Sequence, residues 1–444
     1  MTTVRLPAAC LILAALLCAP GPLTTAAPAD AVDQDAIRRD RIGTILPEAM
    51  ASHGIDMWLV FARENAEDPI LPTLGVQHIV ARGALVFWRD QAGFHKTAIA
   101  ASYDVDGIQK SGLYDEVISY RQEGIKPHLA ELVRRVDPAR IAVNRSRDVT
   151  MADGLTAGME GYLEEALGKR YTKRFVPAER LVVSLMGRKL PKEIALLTDA
   201  AEATQRIIAE ALTANVINPG VTSEKMLDDW MRRRAEALGY GVAFGSVVTG
   251  PTRGHSAPTD KVIGGGDLIR IDWGATSGGY AADIQRTGYV LRGGEQSAPE
   301  WVEKLWRDTL AANRAAIEAC RPGRTGNDVD RAARQVLAGA GHPDYPHGTG
   351  HAIGLKVHDV GPMLGPDWPE RYGAPVFFTI ETSQVFAIEP IIYTTPPQLG
   401  YEMHLGLEEN VVVEAGATRI LGTPQTELIL IPSGPPRSRA AINF

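Results

Sequence analysis

Four carboxylates and a group of histidines in the second half of the chain have the residue types and spacing of a metal site. Asp272 and Asp283 lie in "DLIRIDWGATSGGYAADIQRTGYV" (267–290), which alternates like two strands around the turn residues "TSGG". A turn at Ser277-Gly278 predicts that Asp272 faces Asp283 across a hairpin, where like charges repel. Two metal ions would offset that repulsion. The alternative is another register, with both aspartates in solvent.

A second pair of strands repeats this arrangement in "VFAIEPIIYTTPPQLGYEMHLGLEENVVVEAG" (385–416). A turn near Gln398-Leu399 predicts that Glu389 faces Glu408. Glutamate is seldom fully buried unless it is paired or bound to a metal, and Glu389 lies in an apolar run. The alternative is a partly exposed glutamate on an edge strand.

Three of the ten histidines, His347, His351 and His358, cluster in "HGTGHAIGLKVHD" (347–359). Histidines four residues apart can bind a metal from one face of a helix. The interspersed glycines would each cost such a helix about 1 kcal/mol, so a loop or an irregular strand is the better prediction. A surface turn with incidental histidines remains an alternative. Four carboxylates and one imidazole suit Mn²⁺ first or Co²⁺, and also admit Zn²⁺ or Fe²⁺.

The surrounding pattern predicts two repeated halves that position these residues. Each half has two helices followed by strands, with helices expected at 191–216, 222–240, 298–320 and 325–340. Residues 35–180 instead alternate strands and helices, with strands expected at 56–62, 83–88 and 140–144 and helices at 126–136 and 151–167. The chain therefore has an α/β part followed by an α+β part.

Length and composition limit the classes of protein. A chain of 444 residues predicts two or three domains, and 45% hydrophobic with 22% charged residues is typical of a folded globular protein. The formal net charge of −7 argues against nucleic acid as a partner.

Residues 1–31 are typical of a secretory signal peptide, with an early Arg5, an apolar run and an "ADA" motif that ends at Ala31. We expect cleavage after Ala31, a periplasmic or secreted protein, and no stable membrane insertion, because the run is shorter than a typical span of about 20 residues. Lipid attachment at Cys18 and an uncleaved anchor are the alternatives. The mature chain then keeps only Cys320, expected to be buried, and has no intramolecular disulfide.

The order Asp, Asp, His, Glu, Glu resembles metallopeptidase family M24, whose catalytic domain has the pita-bread fold. "IDWGATSGGYAADIQRT", "HGTGHAIGLKVHDVG", "AIEP" and "GLEENVVVEAG" are similar to the family's motifs, most closely those of the Xaa-Pro aminopeptidase, prolidase and creatinase-like branch. The resemblance implies two divalent metal ions. Their ligands would be Asp272, Asp283, His351, Glu389 and Glu408.

The resemblance also implies catalytic roles. Glu389 would be both a ligand and the proton shuttle, and His358 would stabilise the oxyanion. His347 would line the substrate site, and His255 in "GPTRGHSAP" would be a further active-site histidine. The alignment selects Glu408 rather than Glu409 as the bridging ligand.

For the whole chain the resemblance implies a creatinase-like N-terminal α/β domain (35–180), a pita-bread α+β catalytic domain (185–432) and a loose tail (433–444). It also suggests a homodimer that acts on peptides. Two positions depart from the family. Gly406 replaces an arginine that helps to organise the active site in the proline-specific branch, and Trp273 is large for its position. Trp273 is either a packing residue or a change in the shape of the pocket.

We therefore expect an exported dinuclear-metal hydrolase that cleaves near the N-terminus of a peptide, with Xaa-Pro aminopeptidase ranked first. An Xaa-Pro dipeptidase (prolidase) must also bind its product's carboxylate, usually with arginine, and Gly406 does not supply one. Arg253 is a candidate replacement. Three further candidates are a two-metal hydrolase of esters or organophosphates, a metal-free creatinase-like hydrolase, and a catalytically inactive binding protein on the same fold.

Overall fold

The computed structural model describes residues 32–251 and 256–434. The predicted signal peptide (1–31), Arg253, His255 and residues 435–444 of the predicted tail lie outside the described residues. Within the described ranges, no helix combines the length and apolar composition needed to cross a membrane.

The N-terminal part is built around one mixed sheet of six strands. The strand order is β4-β3-β2-β1-β5-β6, in which the β1–β2 and β2–β3 pairs are antiparallel and the other pairs are parallel. Its central strands are buried on both faces, as their continuous apolar runs predict. The elements are α1 (Gln34–Asp40), α2 (Leu46–Ser52), β1 (Met57–Arg63), β2 (Arg82–Asp90), β3 (Gly93–Ala101), α3 (Val105–Lys110), β4 (Glu116–Tyr120), α4 (Lys126–Val136), β5 (Ile141–Val143), α5 (Ala157–Leu167), α6 (Lys169–Thr172), β6 (Phe175–Pro177) and α7 (Glu179–Gly187).

The C-terminal part has two halves, and each half places a pair of helices before a set of strands. The first half contains α8 (Pro191–Ala211), α9 (Glu224–Ala237), β7 (Gly241–Thr249), β8 (Leu268–Ser277), β9 (Tyr280–Ala281) and β10 (Ile284–Val290). The second half contains α10 (Glu300–Ala319), α11 (Gly326–Gly339), β11 (Gly350–Ala352), β12 (Val385–Ile388), β13 (Ile391–Thr394), β14 (Met403–Gly406), β15 (Glu409–Val413), β16 (Thr418–Ile420) and β17 (Ile429–Ile431).

Each half contributes most of one sheet, and β17 of the second half joins the first sheet. The first sheet has the order β17-β10-β8-β7, with β9 paired to β8, and the second has the order β11-β12-β15-β16. Strands β13 and β14 form a separate two-stranded ribbon. The repeated helix-pair-and-strand pattern of the sequence therefore matches two similar sheets.

Local sequence signals explain most helix boundaries. Pro191 is the first residue of α8, where its missing N–H costs nothing, and the left-handed Gly239 follows α9. The cap of α9 is Ser223, whose side chain accepts a hydrogen bond from the N–H of Met226. Cys320 follows α10 and is fully buried, as predicted, and burial raises the pKa of its thiol to about 12.

The predicted register of the first hairpin is wrong. Asp272 lies opposite Gln285 rather than Asp283. The turn is formed by Gly278-Gly279, both with positive φ, instead of Ser277-Gly278. Glycine adopts positive φ at no steric cost, so the pair of glycines favours a turn at this position. The shift is two residues, and the two aspartates therefore remain on the same face of the sheet as diagonal neighbours.

The predicted register of the second strand pair is confirmed. Ile391 pairs with Gly406 in the ribbon, and Ile388 pairs with Glu409 in the sheet. Glu389 and Glu408 lie between these two pairs, so the same register places them opposite each other. The chain passes from the sheet to the ribbon at this point, because Pro390 cannot donate a ladder hydrogen bond.

Candidate metal centre

Strand alternation directs Asp272 toward the centre of the catalytic part. Ile271 and Trp273 belong to the apolar core shared with α8 and α9. Asp272 lies between them on β8 and therefore points to the opposite face of the sheet. Trp273 is fully buried in that core, which identifies it as a packing residue rather than a wall of the site.

The structure brings together the five side chains that the sequence singled out as ligands. The ligand atoms of Asp272, Asp283 and Glu408 lie within 4.8 Å of one another, and so do those of His351, Glu389 and Glu408. His351 Nε2 is 3.4 Å from Asp283 Oδ2 and 3.8 Å from Glu389 Oε1. Glu408 is common to both groups, so it is placed to bridge two cations.

Backbone contacts fix three of these residues, each of which directly adjoins the end of a strand. The N–H of Glu389 donates to Thr349 O at 2.7 Å, and the N–H of Glu408 donates to Gln285 O at 3.2 Å. The N–H of Asp283 donates to the side-chain oxygen of Asn410 at 3.0 Å. The first bond extends the β11–β12 pairing, and the other two connect the two halves of the catalytic part at the site.

Bound positive charge would stabilise this buried cluster of carboxylates. Burial raises the pKa of Asp283 and raises that of Glu408 well above its ordinary value, and neighbouring carboxylates add to both effects. Burial disfavours the protonated imidazole of His351, but Asp283 and Glu389 outweigh it and raise the pKa of His351 to about 9. Several buried carboxylates in contact are stable when cations neutralise them.

The donor set fits divalent metal ions. Carboxylate oxygens with one imidazole are ligands that Mn²⁺, Co²⁺, Zn²⁺ and Fe²⁺ accept. Two overlapping groups of donors share Glu408 and offer places for two ions. A third group joins Asp283 and His351 to the exposed His358. The donor residues therefore fit the two divalent metal ions that the sequence predicts.

Glu409 is held away from this cluster. Its carboxylate accepts a hydrogen bond from Arg286 Nη2 at 2.8 Å and another from the N–H of Gln425 at 2.9 Å. Arg286 also donates to the carbonyl of Glu408 at 2.7 Å. The geometry therefore agrees with the choice of Glu408 over Glu409 made from the sequence.

One of the other predicted catalytic histidines, His358, lies beside the cluster, and His347 lies next to Tyr345 and Tyr393. The ring of His358 stacks on that of His351 with a centroid distance of 3.8 Å, and His358 is exposed. His347 is half-buried and lies 6.5 Å from the ring of Tyr393. The segment that carries the histidines is a short strand, β11, followed by a loop, which excludes the helical alternative. His255 lies outside the described residues.

A polar network that was not predicted from the sequence supports the histidine segment. Asp330 on α11 accepts a hydrogen bond from Thr349 at 2.8 Å and pairs with Arg334 at 2.7 Å. Arg334 also donates to the carbonyl of His347. The spacing of Asp330 and Arg334, four residues apart on one helix, was the available signal.

The comparisons with known proteins identify the family of the chain. Metallopeptidase family M24 matches residues 195–415. The Xaa-Pro dipeptidase of Pyrococcus horikoshii is 27% identical over 277 residues, which cover 61% of this chain and 72% of that protein.

Two solved structures have the same architecture. The dipeptidase PepE of Mycobacterium ulcerans has a TM-score of 0.63 at 24% identity and covers 90% of this chain and 99% of its own. The X-Pro aminopeptidase of Thermotoga maritima has a TM-score of 0.57 at 24% identity, with coverages of 86% and 99%. The predicted fold class, an N-terminal α/β domain with a pita-bread catalytic domain, is confirmed. The chain belongs to metallopeptidase family M24, in its prolidase and aminopeptidase P branch, and is a metal-dependent hydrolase.

Proposed function

We propose that the protein is an exported Xaa-Pro aminopeptidase that uses two divalent metal ions, with Mn²⁺ as the first choice. The observation that carries this proposal is the pair of donor groups that meet at Glu408. Asp272, Asp283, His351, Glu389 and Glu408 would hold the ions. When bound, the ions lower the pKa of a water molecule and polarise the scissile carbonyl.

The protein side chains then have distinct tasks. Glu389 is the partly exposed carboxylate of the cluster, with a side-chain exposure of 17%, so it can accept the water's proton and pass it toward the leaving nitrogen. His358 is exposed beside His351 and would donate to the developing oxyanion. His347 would line the substrate site, and His255 would assist proton transfer.

The second candidate is an Xaa-Pro dipeptidase. It is favoured by the similar Pyrococcus horikoshii protein of that name. The two activities differ in the group on the C-terminal side of proline: a dipeptidase requires a free carboxylate there, and an aminopeptidase accepts a longer chain.

One experiment addresses both the site and the substrate. Metal content is measured on purified protein, and kcat/KM is measured on Ala-Pro and Ala-Pro-Ala with Mn²⁺, Co²⁺ or Zn²⁺. We expect about two ions per chain and a higher kcat/KM on the tripeptide. A preference for Ala-Pro would make the protein a dipeptidase. Inactivity on both peptides would leave three candidates: the ester hydrolase, the metal-free hydrolase and the binding protein. Activity assays with ester substrates and with creatine would then distinguish these three.

Export and assembly are parts of the same proposal. We infer a mature chain that begins at Val32, in the periplasm or outside the cell, which N-terminal sequencing of the native protein checks. Lipid attachment at Cys18 would give a different first residue. We also propose a homodimer, and light scattering at micromolar concentration would overturn it if the mass is that of one chain.

A further inference from the structure

Arg270 is a buried cation on the strand that carries Asp272. It lies on β8 between β7 and β10, is 6% exposed, and has Val248 and Thr287 as its cross-strand neighbours. Residues two apart on a strand point to the same face. Arg270 Nη1 is accordingly 3.7 Å from Asp272 Oδ2. The strand therefore brings one positive charge into the carboxylate cluster.

The surroundings of Arg270 are anionic and polar. Asp272, Tyr393, Glu389 and Glu408 all interact electrostatically with its guanidinium, opposing the lowering of its pKa by burial. Arginine stays protonated in proteins, so this charge is permanent. Arg270 also lines a narrow pocket, together with Thr287, Tyr401 and His404. Arg270 thus lies between the candidate metal ligands and a pocket.

Gly406 lies across β10 from Arg270, on β14. Thr287, the neighbour of Arg270, donates to the carbonyl of Gly406 at 2.9 Å. A Cβ at position 406 would lie 2.1 Å from Gln285 Oε1. This oxygen is buried and has no hydrogen-bond partner among the described residues. Gln285 is itself the cross-strand neighbour of Asp272.

These contacts define one packing unit around Asp272. Gln285 occupies the space beside Gly406 that a side chain from position 406 would need. Arg270 approaches Asp272 from β8 and supplies a positive charge beside it. The amide of Gln285 lies opposite Asp272 on the neighbouring strand.

We propose that Arg270 is the positioning residue for Asp272, and that Arg270, Gln285 and Gly406 form an interdependent packing unit around it. The inference rests on the proposed metallopeptidase function of the site. The ion pair holds the carboxylate of Asp272 in one orientation relative to the cluster. Loss of the cation frees the carboxylate to rotate, which perturbs metal coordination without removing a ligand.

The direct test compares Arg270→Met and Arg270→Lys with Arg41→Met. Arg41, which directly follows α1, is also a buried arginine in a carboxylate pair; its partner is Glu193 on α8, and neither residue is among the candidate metal ligands. Arg270→Met should lower kcat by about 10–100-fold, the usual cost of losing a residue that orients a metal ligand, with little change in KM. It should also change the visible absorption spectrum of the Co²⁺-loaded protein. Arg270→Lys should recover part of the kcat and part of the wild-type spectrum, because lysine supplies a positive charge without the planar guanidinium group of arginine. Arg41→Met should lower stability but leave kcat and the spectrum unchanged.

A transplant variant tests the interdependence. Gly406→Arg alone should clash with Gln285 and disturb the site. Adding Gln285→Thr and Arg270→Leu should make room for the new arginine and restore the wild-type Co²⁺ spectrum. If Arg270→Met does not fold, this triple variant and Arg270→Lys test whether Arg270 positions Asp272.

The proposal is overturned if folded Arg270→Met keeps the wild-type kcat and Co²⁺ spectrum, or if the triple variant behaves no better than Gly406→Arg. These spectra do not depend on knowing the substrate. If the wild-type protein cleaves neither Xaa-Pro peptide, the proposed function fails, while the Co²⁺ spectra still report whether Arg270 positions Asp272.

Discussion

Glu408 and Glu409 are adjacent in the chain, yet their carboxylates have different partners. The carboxylate of Glu408 lies within 4.8 Å of donor atoms of Asp272, Asp283, His351 and Glu389. The carboxylate of Glu409 pairs with Arg286 at 2.8 Å. Glu409 is the first residue of β15 and Glu408 directly precedes it. Successive residues of an extended chain point to opposite faces, so one residue serves the site and the other serves the packing behind it.

The Glu408→Ala and Asp272→Ala variants should therefore hold fewer than two metal ions and lose hydrolysis. Glu409→Ala should keep its metal but lose roughly 3–5 kcal/mol of unfolding free energy, because Arg286 is left buried and unpaired. Metal analysis and urea unfolding measure the two effects. Full activity in Glu408→Ala and Asp272→Ala would refute the site assignment, and loss of metal in Glu409→Ala alone would mean that the bridging ligand is one residue later.

The role of His358 predicts a separation of binding from catalysis. His358→Ala should keep both metal ions and most of the affinity for substrate, because the proposed task of this exposed ring is to stabilise the transition state. The expected loss is in kcat, by about 100–1,000-fold, as for an oxyanion-stabilising donor. Steady-state kinetics with metal analysis on the same sample provide the check. A metal-free His358→Ala protein would identify His358 as a ligand instead.

Glu389→Gln probes proton transfer with almost no change in shape. Glutamine keeps an oxygen that can face a metal ion but cannot accept the water's proton. We expect kcat to fall by about 100–10,000-fold, the usual contribution of a general base, while metal remains detectable. Pre-steady-state kinetics that show an unchanged chemical step would contradict the shuttle role.

Asp68 gives the N-terminal part a pH dependence of its own. It is 1% exposed, accepts hydrogen bonds from Asn144, and burial raises its pKa from 3.8 to about 6. Because the folded pKa is above the unfolded one, its contribution to stability is fully present below about pH 4 and is lost as pH rises through about 6. The change is on the order of 3 kcal/mol.

Asp68→Asn should remove this dependence, since asparagine does not titrate. Unfolding free energies of both proteins between pH 4 and 7, measured in urea, should show the wild type losing stability relative to the variant as pH rises. A constant difference across that range would show that Asp68 keeps an ordinary pKa in the folded state.

The first hairpin shows which structural features local sequence predicts and which it does not. Alternation of apolar and polar residues predicts two strands and the face on which Asp272 and Asp283 lie, and both predictions survive the two-residue error in register. Alternation does not predict which residue lies opposite Asp272, because Ser277-Gly278 and Gly278-Gly279 are both plausible turns. The closing turn and the packing of β8 between β7 and β10 select Gln285 as the neighbour of Asp272.

Local chemistry in the sequence determined the strand alternation, the helix pairs and the types of the metal-binding side chains, because these depend on residues close together in the chain. Only the tertiary structure decided which side chains meet. Asp330 and Arg334 reach the histidine segment from α11, and Arg270 lies beside Asp272 across from Gly406. Such contacts depend on how separate sheets and helices pack, and no periodicity along the chain encodes them.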